Sequence, residues 1–154
     1  MSNEIVFCRT SEKWGAFSNF ARIPVTINGK HWATTEHYYQ AMKFPDEQTQ
    51  EIIRSCESPK MAAELGRSYP IREDWEQIKE LYMLIALTHK TLQHEMVRKL
   101  LLQSANMRIV EFSSKDYYWG SGKDGSGKNR LGELWMLIRS IIRSSNGKNS
   151  SQAQ

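Results

Sequence analysis

The pattern of apolar and polar residues predicts short strands separated by longer helical segments. Alternation in Val25-Thr26-Ile27, followed at once by Asn28-Gly29, is typical of a strand that enters a tight hairpin turn. Apolar runs indicate two further strands, near 5–7 and 108–112. The strands are few and short, so they can form only a small β element.

Helix signals fill much of the remaining chain. Ser58 followed by Pro59 is a typical helix start, and Asp74 followed three residues later by Gln77 is typical of a capping box. Apolar spacing predicts helices at 35–44, 59–65, from 75 onward, at about 93–103 and at 131–142. We therefore expect a predominantly α-helical α+β fold in one domain, residues 1–143, with several helices around the small β element. The polar stretch 144–154 is expected to be a disordered tail.

The segment 35–44 carries few polar residues, and three of them fall on one stripe. At 100° per residue, Glu36, Gln40 and Lys43 lie within about 60° of one another on a helix. A carboxylate, an amide and an amine held between aromatic rings are suited to acid-base or nucleophilic chemistry on a small polar ligand, because desolvation and proximity tune their pKa values. The alternative is an ordinary structural Glu-Lys stripe.

A second candidate region is the loop 116–129, which has four glycines between positions 120 and 127 and leads directly into a helix. Glycines allow a close backbone approach and helix N-termini offer N–H groups, so this loop is a candidate anion site, with a flexible surface turn as the alternative. Residues 122–128 match the first seven positions of a P-loop. However, Asn129 replaces the Ser or Thr that would hold magnesium, which disfavours a nucleotide-hydrolysing enzyme.

Charge and composition narrow the function classes. The net charge is +4, made of +6 from residue 98 onward and −2 before it, a distribution that suits a phosphate-bearing ligand or nucleic acid. Cys8 and Cys56 have no metal or redox spacing and are expected to be reduced thiols. No apolar run is long enough to span a membrane and no secretory leader is evident, so we expect a cytoplasmic protein without membrane association. Neither a metal site nor a cofactor is expected.

Motifs spread along almost the whole chain resemble the NADAR family. They cover residues 14–143, and this number of ordered blocks makes the match specific. The matching blocks are GAFSNF at 15–20, NGK at 28–30, TTEHYYQAMKF at 34–44, SP at 58–59, LGR at 65–67, DW at 74–75, Asp116, WG at 119–120, GKNRLG at 127–132 and Met136.

The resemblance implies hydrolysis of an N-glycosidic bond to ribose. One branch of the family acts on phosphoribosylamino-pyrimidine intermediates of riboflavin biosynthesis, as metabolite damage control, and the compact single domain favours this branch. Another branch removes ADP-ribose from guanine in nucleic acid. A non-catalytic module that binds ADP-ribose or NAD is the third possibility. The expected partners are accordingly a small phosphorylated ribosyl substrate or ADP-ribosylated nucleic acid.

The resemblance also implies roles for individual residues. Glu36 is expected to stabilise the sugar cation or activate water, with Asp116 as the second carboxylate. Lys43 either pairs with Glu36 or attacks the open-chain sugar aldehyde to form a Schiff base. The expected substrate-binding positions are Trp75 and Trp119 for stacking, with core packing as their alternative role, Asn19, Gln40 and Asn129 for sugar hydroxyls, Arg67 and Lys128 for phosphate, and Phe20, Gly66 and Gly120.

Overall fold

The computed structural model describes residues 3–151, and it confirms the α+β, predominantly helical fold class. The chain divides into two compact units: the first eighteen residues together with the chain from Glu95 onward, and the segment from Asn19 to His94. In chain order the elements are β1 (Glu4–Phe7), a single 3-10 turn (Gly15–Phe17), β2 (Val25–Ile27), β3 (Lys30–Trp32), α1 (Thr35–Ala41), α2 (Glu47–Arg54), α3 (Pro59–Gly66), α4 (Trp75–Gln93), α5 (Glu95–Gln103), β4 (Arg108–Glu111) and α6 (Arg130–Ser151).

In the unit from Asn19 to His94, the predicted hairpin is confirmed. Strands β2 and β3 pair antiparallel, with Val25 opposite Trp32. The turn residues Asn28 and Gly29 have φ angles of 51° and 77°, which Asn and Gly adopt more readily than other residues. Val25 and Trp32 are buried, so the hairpin contributes its inward face to the core of this unit.

Helix α1 is the centre of this unit, because it packs against α2, α3 and α4 and is buried at all seven positions. The residue before it, Thr34, is its N-cap, since the Thr34 hydroxyl accepts from the His37 N–H. The helix ends at Ala41 with Met42 as its C-cap, so the expected helix over 35–44 is too long and Lys43 lies beyond it. The core around α1 consists of Val25, Ile27, Trp32, Tyr38, Ala41, Phe44, Ile53, Ala62 and Ala86.

The starts of α2, α3 and α4 agree with the sequence-based expectation in one case and differ from it in two. Ser58 caps α3 as predicted, because its hydroxyl accepts from the Met61 N–H. The capping box at α4 is wrong, since the Asp74 carboxylate instead accepts two hydrogen bonds from the Arg72 guanidinium, and that charged pairing satisfies it. The sequence analysis also missed α2, which Asp46 caps by accepting from the Thr49 N–H.

The other unit is built on a parallel pair of strands, β1 and β4, with Ile5 opposite Ile109. Helix α6 packs against β4 and α5. The indole N–H of Trp135 on α6 donates to the Phe17 carbonyl at 3.0 Å, and the Trp135 and Phe17 rings lie 5.1 Å apart. These contacts attach the N-terminal segment to α6.

The end of α6 lies further along the chain than the sequence predicts. Residues 144–151, expected to be part of a disordered tail, continue the helix to Ser151, and residues 152–154 lie outside the described part of the chain. The hydroxyls of Ser144, Ser145 and Ser150 each donate to the carbonyl four residues earlier, which keeps these polar side chains compatible with helix. The single-domain boundary at residue 143 stays a prediction.

Candidate active site

Glu36 lies in the first turn of α1, and the residues before that helix fix its start. The Glu36 N–H donates to the Asn19 carbonyl at 3.2 Å, and the Thr35 hydroxyl donates to Asn19 Oδ1 at 2.8 Å. The Asn19 amide nitrogen lies 3.2 Å from Met83 Sδ. Both ends of the Asn19 amide therefore have contacts inside the protein, and this side chain braces the beginning of α1.

His37 secures the same turn from the other side. Its Nε2 lies 3.0 Å from the Cys56 carbonyl and its Nδ1 lies 2.7 Å from the Thr34 hydroxyl. A carbonyl can only accept, so Nε2 carries the proton and Nδ1 accepts from Thr34. Burial lowers the pKa of His37, so the ring is neutral and belongs to the packing of α1.

Gln40 stands one turn after Glu36 and contacts it directly. Its amide nitrogen donates to Glu36 Oε1 at 2.7 Å, and the two residues are only 6% and 8% exposed. The Gln40 carbonyl oxygen is also buried and has no hydrogen-bond partner within residues 3–151. It faces Gly66, where a Cβ atom would lie 2.1 Å from it. The structure thus brings together three predicted site residues, Glu36, Gln40 and Gly66.

Lys43 follows the end of α1 and places its ammonium over the ring of Tyr39, 5.7 Å from the centroid. Burial is the main cause that lowers the pKa of Lys43; the nearby charge of Glu36 opposes this effect, and the charge of Arg67 adds to it. The amine is therefore deprotonated more readily than that of an exposed lysine. Tyr39 was missed in the sequence analysis, although its i, i+4 spacing from Lys43 was a usable signal.

Trp75 is the first residue of α4 and is 4% exposed. Its ring centroid lies 5.2 Å from that of Tyr39 and 6.0 Å from that of Tyr82, with the Tyr82 ring nearly parallel. These neighbours make Trp75 part of an aromatic cluster beside Lys43. The two other predicted positions in this unit, Phe20 and Arg67, are exposed.

In the unit that contains the glycine loop, Asp116 holds a turn. Its Oδ1 accepts from the N–H of Tyr118 at 2.9 Å and from that of Trp119 at 2.7 Å. The rings of Tyr118 and Trp119 meet edge to face, 5.0 Å apart. At Gly120, a Cβ atom would lie 3.0 Å from the Asp116 carbonyl oxygen, so the glycine permits this close turn.

Both the oxygen and the nitrogen of the Asn129 side-chain amide form hydrogen bonds with the backbone of β4. Its Oδ1 accepts from the Glu111 N–H at 2.9 Å, and its Nδ2 donates to the Ile109 carbonyl at 2.9 Å. Asn129 is fully buried and has a φ of 51°, a left-handed conformation that Asn tolerates. The side chain therefore replaces a neighbouring strand along β4.

The glycine loop is ordered by its own hydrogen bonds. The N–H groups of Gly122, Gly127, Lys128 and Asn129 all donate to carbonyls of residues 116–121. Lys128 is exposed and its ammonium lies 5.5 Å from the Tyr118 ring centroid. These N–H groups are used internally, so the anion-binding capacity of the loop is smaller than its glycine content suggests.

Several features of the whole chain bear on the site. Cys8 and Cys56 are free thiols, as predicted. No helix within the described range 3–151 is long and apolar enough to cross a membrane. In the same range, no three His, Cys, Asp or Glu side chains come together as a metal ion would require.

Comparisons with known proteins agree with the resemblance seen in the sequence. The N-glycosidase YbiA of Escherichia coli is 50% identical over 137 residues, covering 88% of this chain and 86% of YbiA. An N-glycosidase of Nostoc punctiforme is 38% identical, covering 90% of this chain and 92% of that protein. A riboflavin biosynthesis protein of Vibrio vulnificus is 36% identical, covering 93% of this chain but 40% of its own length.

The fold agrees as well. The solution structure of E. coli YbiA superimposes with a TM-score of 0.87 at 46% sequence identity, covering 95% of this chain and 89% of that structure. The predicted enzyme class, a hydrolase acting on N-glycosyl bonds, is thereby confirmed. The NADAR domain model matches residues 6–143. The chain therefore belongs to the NADAR domain family.

Proposed function

We propose that this protein hydrolyses the ribosyl C–N bond of phosphoribosylamino-pyrimidine intermediates of riboflavin biosynthesis, with Glu36 as the catalytic carboxylate. The observation that carries the proposal is the buried carboxylate of Glu36, held by Gln40 at 2.7 Å next to a lysine of lowered pKa. The relatives of similar length are named N-glycosidases, and a longer relative is named a riboflavin biosynthesis protein. We also propose that the reaction takes place in the cytoplasm, where free thiols such as Cys8 and Cys56 stay reduced.

The chemistry of the bond explains why a buried carboxylate is needed. As the C–N bond breaks, its electron pair leaves with the nitrogen and positive charge develops on the sugar. A carboxylate close to the reacting carbon stabilises this charge, and more strongly in a site from which water is excluded. Water then adds to the sugar carbon and loses a proton, which Glu36 can accept.

Lys43 has two possible roles, and both use the observed geometry. As an ammonium it lowers the charge repulsion between Glu36 and a phosphorylated substrate. As a neutral amine it attacks C1 of the ring-opened sugar, which carries a C=N bond to the base nitrogen. The base leaves as its amine while the Schiff base to Lys43 forms, and water then hydrolyses this Schiff base to the sugar aldehyde and free Lys43. The lowered pKa of Lys43 supports the second role, because only the neutral amine is nucleophilic.

The two roles of Lys43 can be separated experimentally. Borohydride reduction during turnover, followed by mass spectrometry, would show the sugar attached to Lys43 if a Schiff base forms. Lys43→Arg keeps the positive charge but not the nucleophilic amine, whereas Lys43→Met loses both. Activity that survives in Lys43→Arg but not in Lys43→Met, with no trapped adduct, would assign Lys43 the electrostatic role.

Asp116 and its loop have a supporting place in the proposal. The Asp116 oxygen that accepts from the N–H groups of Tyr118 and Trp119 is already engaged by two donors. We propose that Asp116 holds the turn at Trp119 and Gly120, and that the main chemistry belongs to Glu36. Arg67, exposed in the same unit as Glu36, is the proposed phosphate contact, and the phosphate role of Lys128 stays a prediction from the sequence.

The substrate is tested by chromatography of reactions with freshly prepared 5-amino-6-(5-phosphoribosylamino)uracil. The parent protein should release ribose 5-phosphate, while Glu36→Ala, folded by circular dichroism, should release none. A parallel reaction contains an oligonucleotide with ADP-ribosylated guanine, the alternative that the charge of +6 from residue 98 onward favours. Release of ADP-ribose there, with no ribose 5-phosphate from the first substrate, would contradict the proposal.

A further inference from the structure

The side-chain amide of Gln40 is held in a way that ordinary packing does not require. Its nitrogen donates to Glu36, while its carbonyl oxygen is buried with no hydrogen-bond partner among the described residues. A buried carbonyl without a partner destabilises a folded protein, and nearly all such groups in proteins are paired. An apolar side chain of the same length would fill this space without that cost, so the amide calls for a functional explanation.

Gly66 adds a second local cost at the same place. It is the last residue of α3, where glycine is less favourable than alanine, and its φ is not among the positive values of this chain. The backbone conformation therefore does not require glycine. The limited space beside Gln40 requires glycine, because a Cβ at Gly66 would lie 2.1 Å from the Gln40 carbonyl oxygen and 2.9 Å from the amide carbon. Gly66 leaves room for the Gln40 amide.

The direction of the amide selects one form of Glu36. With the nitrogen towards Glu36, the amide donates to an ionised carboxylate oxygen at 2.7 Å. Rotation of the amide by 180° would place two acceptor oxygens against each other, which only a protonated Glu36 would tolerate. A fixed amide thus favours the ionised carboxylate and fixes its orientation.

We propose that Gln40 is a positioning residue that holds the Glu36 carboxylate ionised and correctly oriented, and that Gly66 keeps the Gln40 amide in place. This inference rests on the proposed function, because it assigns Gln40 a task in the reaction that Glu36 carries. It goes beyond the sugar-hydroxyl contact expected from sequence, since the Gln40 amide acts through Glu36.

Gln40→Met tests the inference directly, because methionine has a similar length and no donor. We expect kcat to fall about 10- to 100-fold, the range for loss of a hydrogen bond to a charged group. Without the donor the pKa of Glu36 rises, so the acidic limb of the kcat/KM profile moves to higher pH. The melting temperature should change little, because removal of the unpaired carbonyl offsets the loss of the donor to the buried Glu36 carboxylate.

Gly66→Ala should act through the same contact. The new methyl group displaces the Gln40 amide, so this variant should show the same shift of the acidic limb. The double variant Gln40→Met/Gly66→Ala should lose little more activity than either single variant, because both remove one interaction. Gly147→Ala is the matched control, since it adds a methyl group in a helix where a Cβ would meet nothing within 4 Å and should leave activity unchanged.

The outcomes separate this inference from the proposed function. If Glu36→Ala is inactive while Gln40→Met keeps the parent kcat and pH profile, the proposed function stands and the positioning role fails. A Gln40→Met protein that melts much earlier, with an unshifted acidic limb, would also overturn the inference, because Gln40 would then be structural. If the parent turns over neither substrate, it is the proposed function that fails.

Discussion

Asn129 was expected from the sequence to bind sugar hydroxyls, whereas its hydrogen bonds to β4 indicate a structural role, and stability measurements can distinguish the two. The change is Asn129→Ala, which removes both hydrogen bonds of the side chain to β4. The buried Ile109 carbonyl and the half-buried Glu111 N–H then lose these hydrogen bonds. An unsatisfied buried group costs about 1–3 kcal/mol, and the half-buried N–H costs less because water can reach it. We therefore expect a loss of about 2–4 kcal/mol in the free energy of unfolding.

The left-handed backbone at Asn129 contributes separately and needs a control. Asn28 has the same φ of 51° but lies exposed in the hairpin turn, so Asn28→Ala measures the conformational cost alone. The difference between the two variants isolates the hydrogen bonds of Asn129. Asn129→Gly gives a second estimate, because glycine accepts this φ but makes neither bond.

The assay is urea unfolding followed by circular dichroism, with thermal melting as a check. For a chain of 154 residues, a loss of about 3 kcal/mol corresponds to a melting temperature roughly 6–12 °C lower. The reasoning is refuted if Asn129→Ala unfolds no more easily than Asn28→Ala and instead raises KM. Asn129 would then serve the ligand, as the sequence analysis expects.

Three further predictions concern pH. Burial lowers the pKa of Lys90 from the ordinary value of 10.5 to about 7. Between these two pH values the unfolded chain binds more protons than the folded chain, so the free energy of unfolding should rise with pH across that range. Lys90→Met should flatten the rise in urea titrations, and equal slopes for the two proteins would contradict the assignment. Burial also lowers the pKa of His37 below 6.5, so stability should fall as the pH drops below 6.5, and His37→Gln should weaken this fall. Hydrogen bonds from Arg54 and Lys30 lower the pKa of Glu51 from 4.5 to about 2. The small stabilising contribution of the ionised Glu51 should therefore be present above pH 4.5 and lost as the pH falls through 2. If Glu51→Gln and the parent show the same dependence of stability on acidic pH, Glu51 makes no such contribution.

Local signals explain which parts of the fold could be predicted from the sequence. The Asn28-Gly29 turn and the Ser58 cap depend on residues within a few positions of each other, and the structure confirms both. The capping box at Asp74 failed because Arg72, only two residues away, is a stronger partner for the carboxylate. Helix α2 was missed because it contains few apolar residues, although Asp46 was a visible N-cap signal.

The candidate site shows the limit of sequence reasoning more clearly. Asn19, Gln40 and Asn129 carry the same chemical group, and all three were expected to bind sugar hydroxyls. The structure separates them through partners that are remote in sequence: Met83 contacts Asn19, and Ile109 accepts from Asn129. For Gln40 the donor to Glu36 follows from the i, i+4 spacing, whereas its fit against Gly66 depends on the packing of α3 beside α1.

The same comparison applies to the predicted polar stripe. Glu36 and Gln40 meet as helical spacing requires, because both lie within α1. Lys43 follows the end of the helix, so its angular position on an ideal helix does not describe it. Its relation to Glu36 depends instead on the turn after α1, where the Lys43 carbonyl accepts from the Arg72 N–H at 2.8 Å.

The most direct test of the central claim is the turnover rate of Glu36→Gln on the substrate that the parent hydrolyses. The control is Glu64→Gln, the same change at an exposed position on α3. Our account predicts that Glu36→Gln keeps its fold and loses at least about 100-fold in kcat, as expected when a carboxylate that takes part in the reaction is neutralised, while Glu64→Gln matches the parent. A Glu36→Gln protein with a kcat equal to that of Glu64→Gln would contradict the assignment of Glu36 as the catalytic carboxylate.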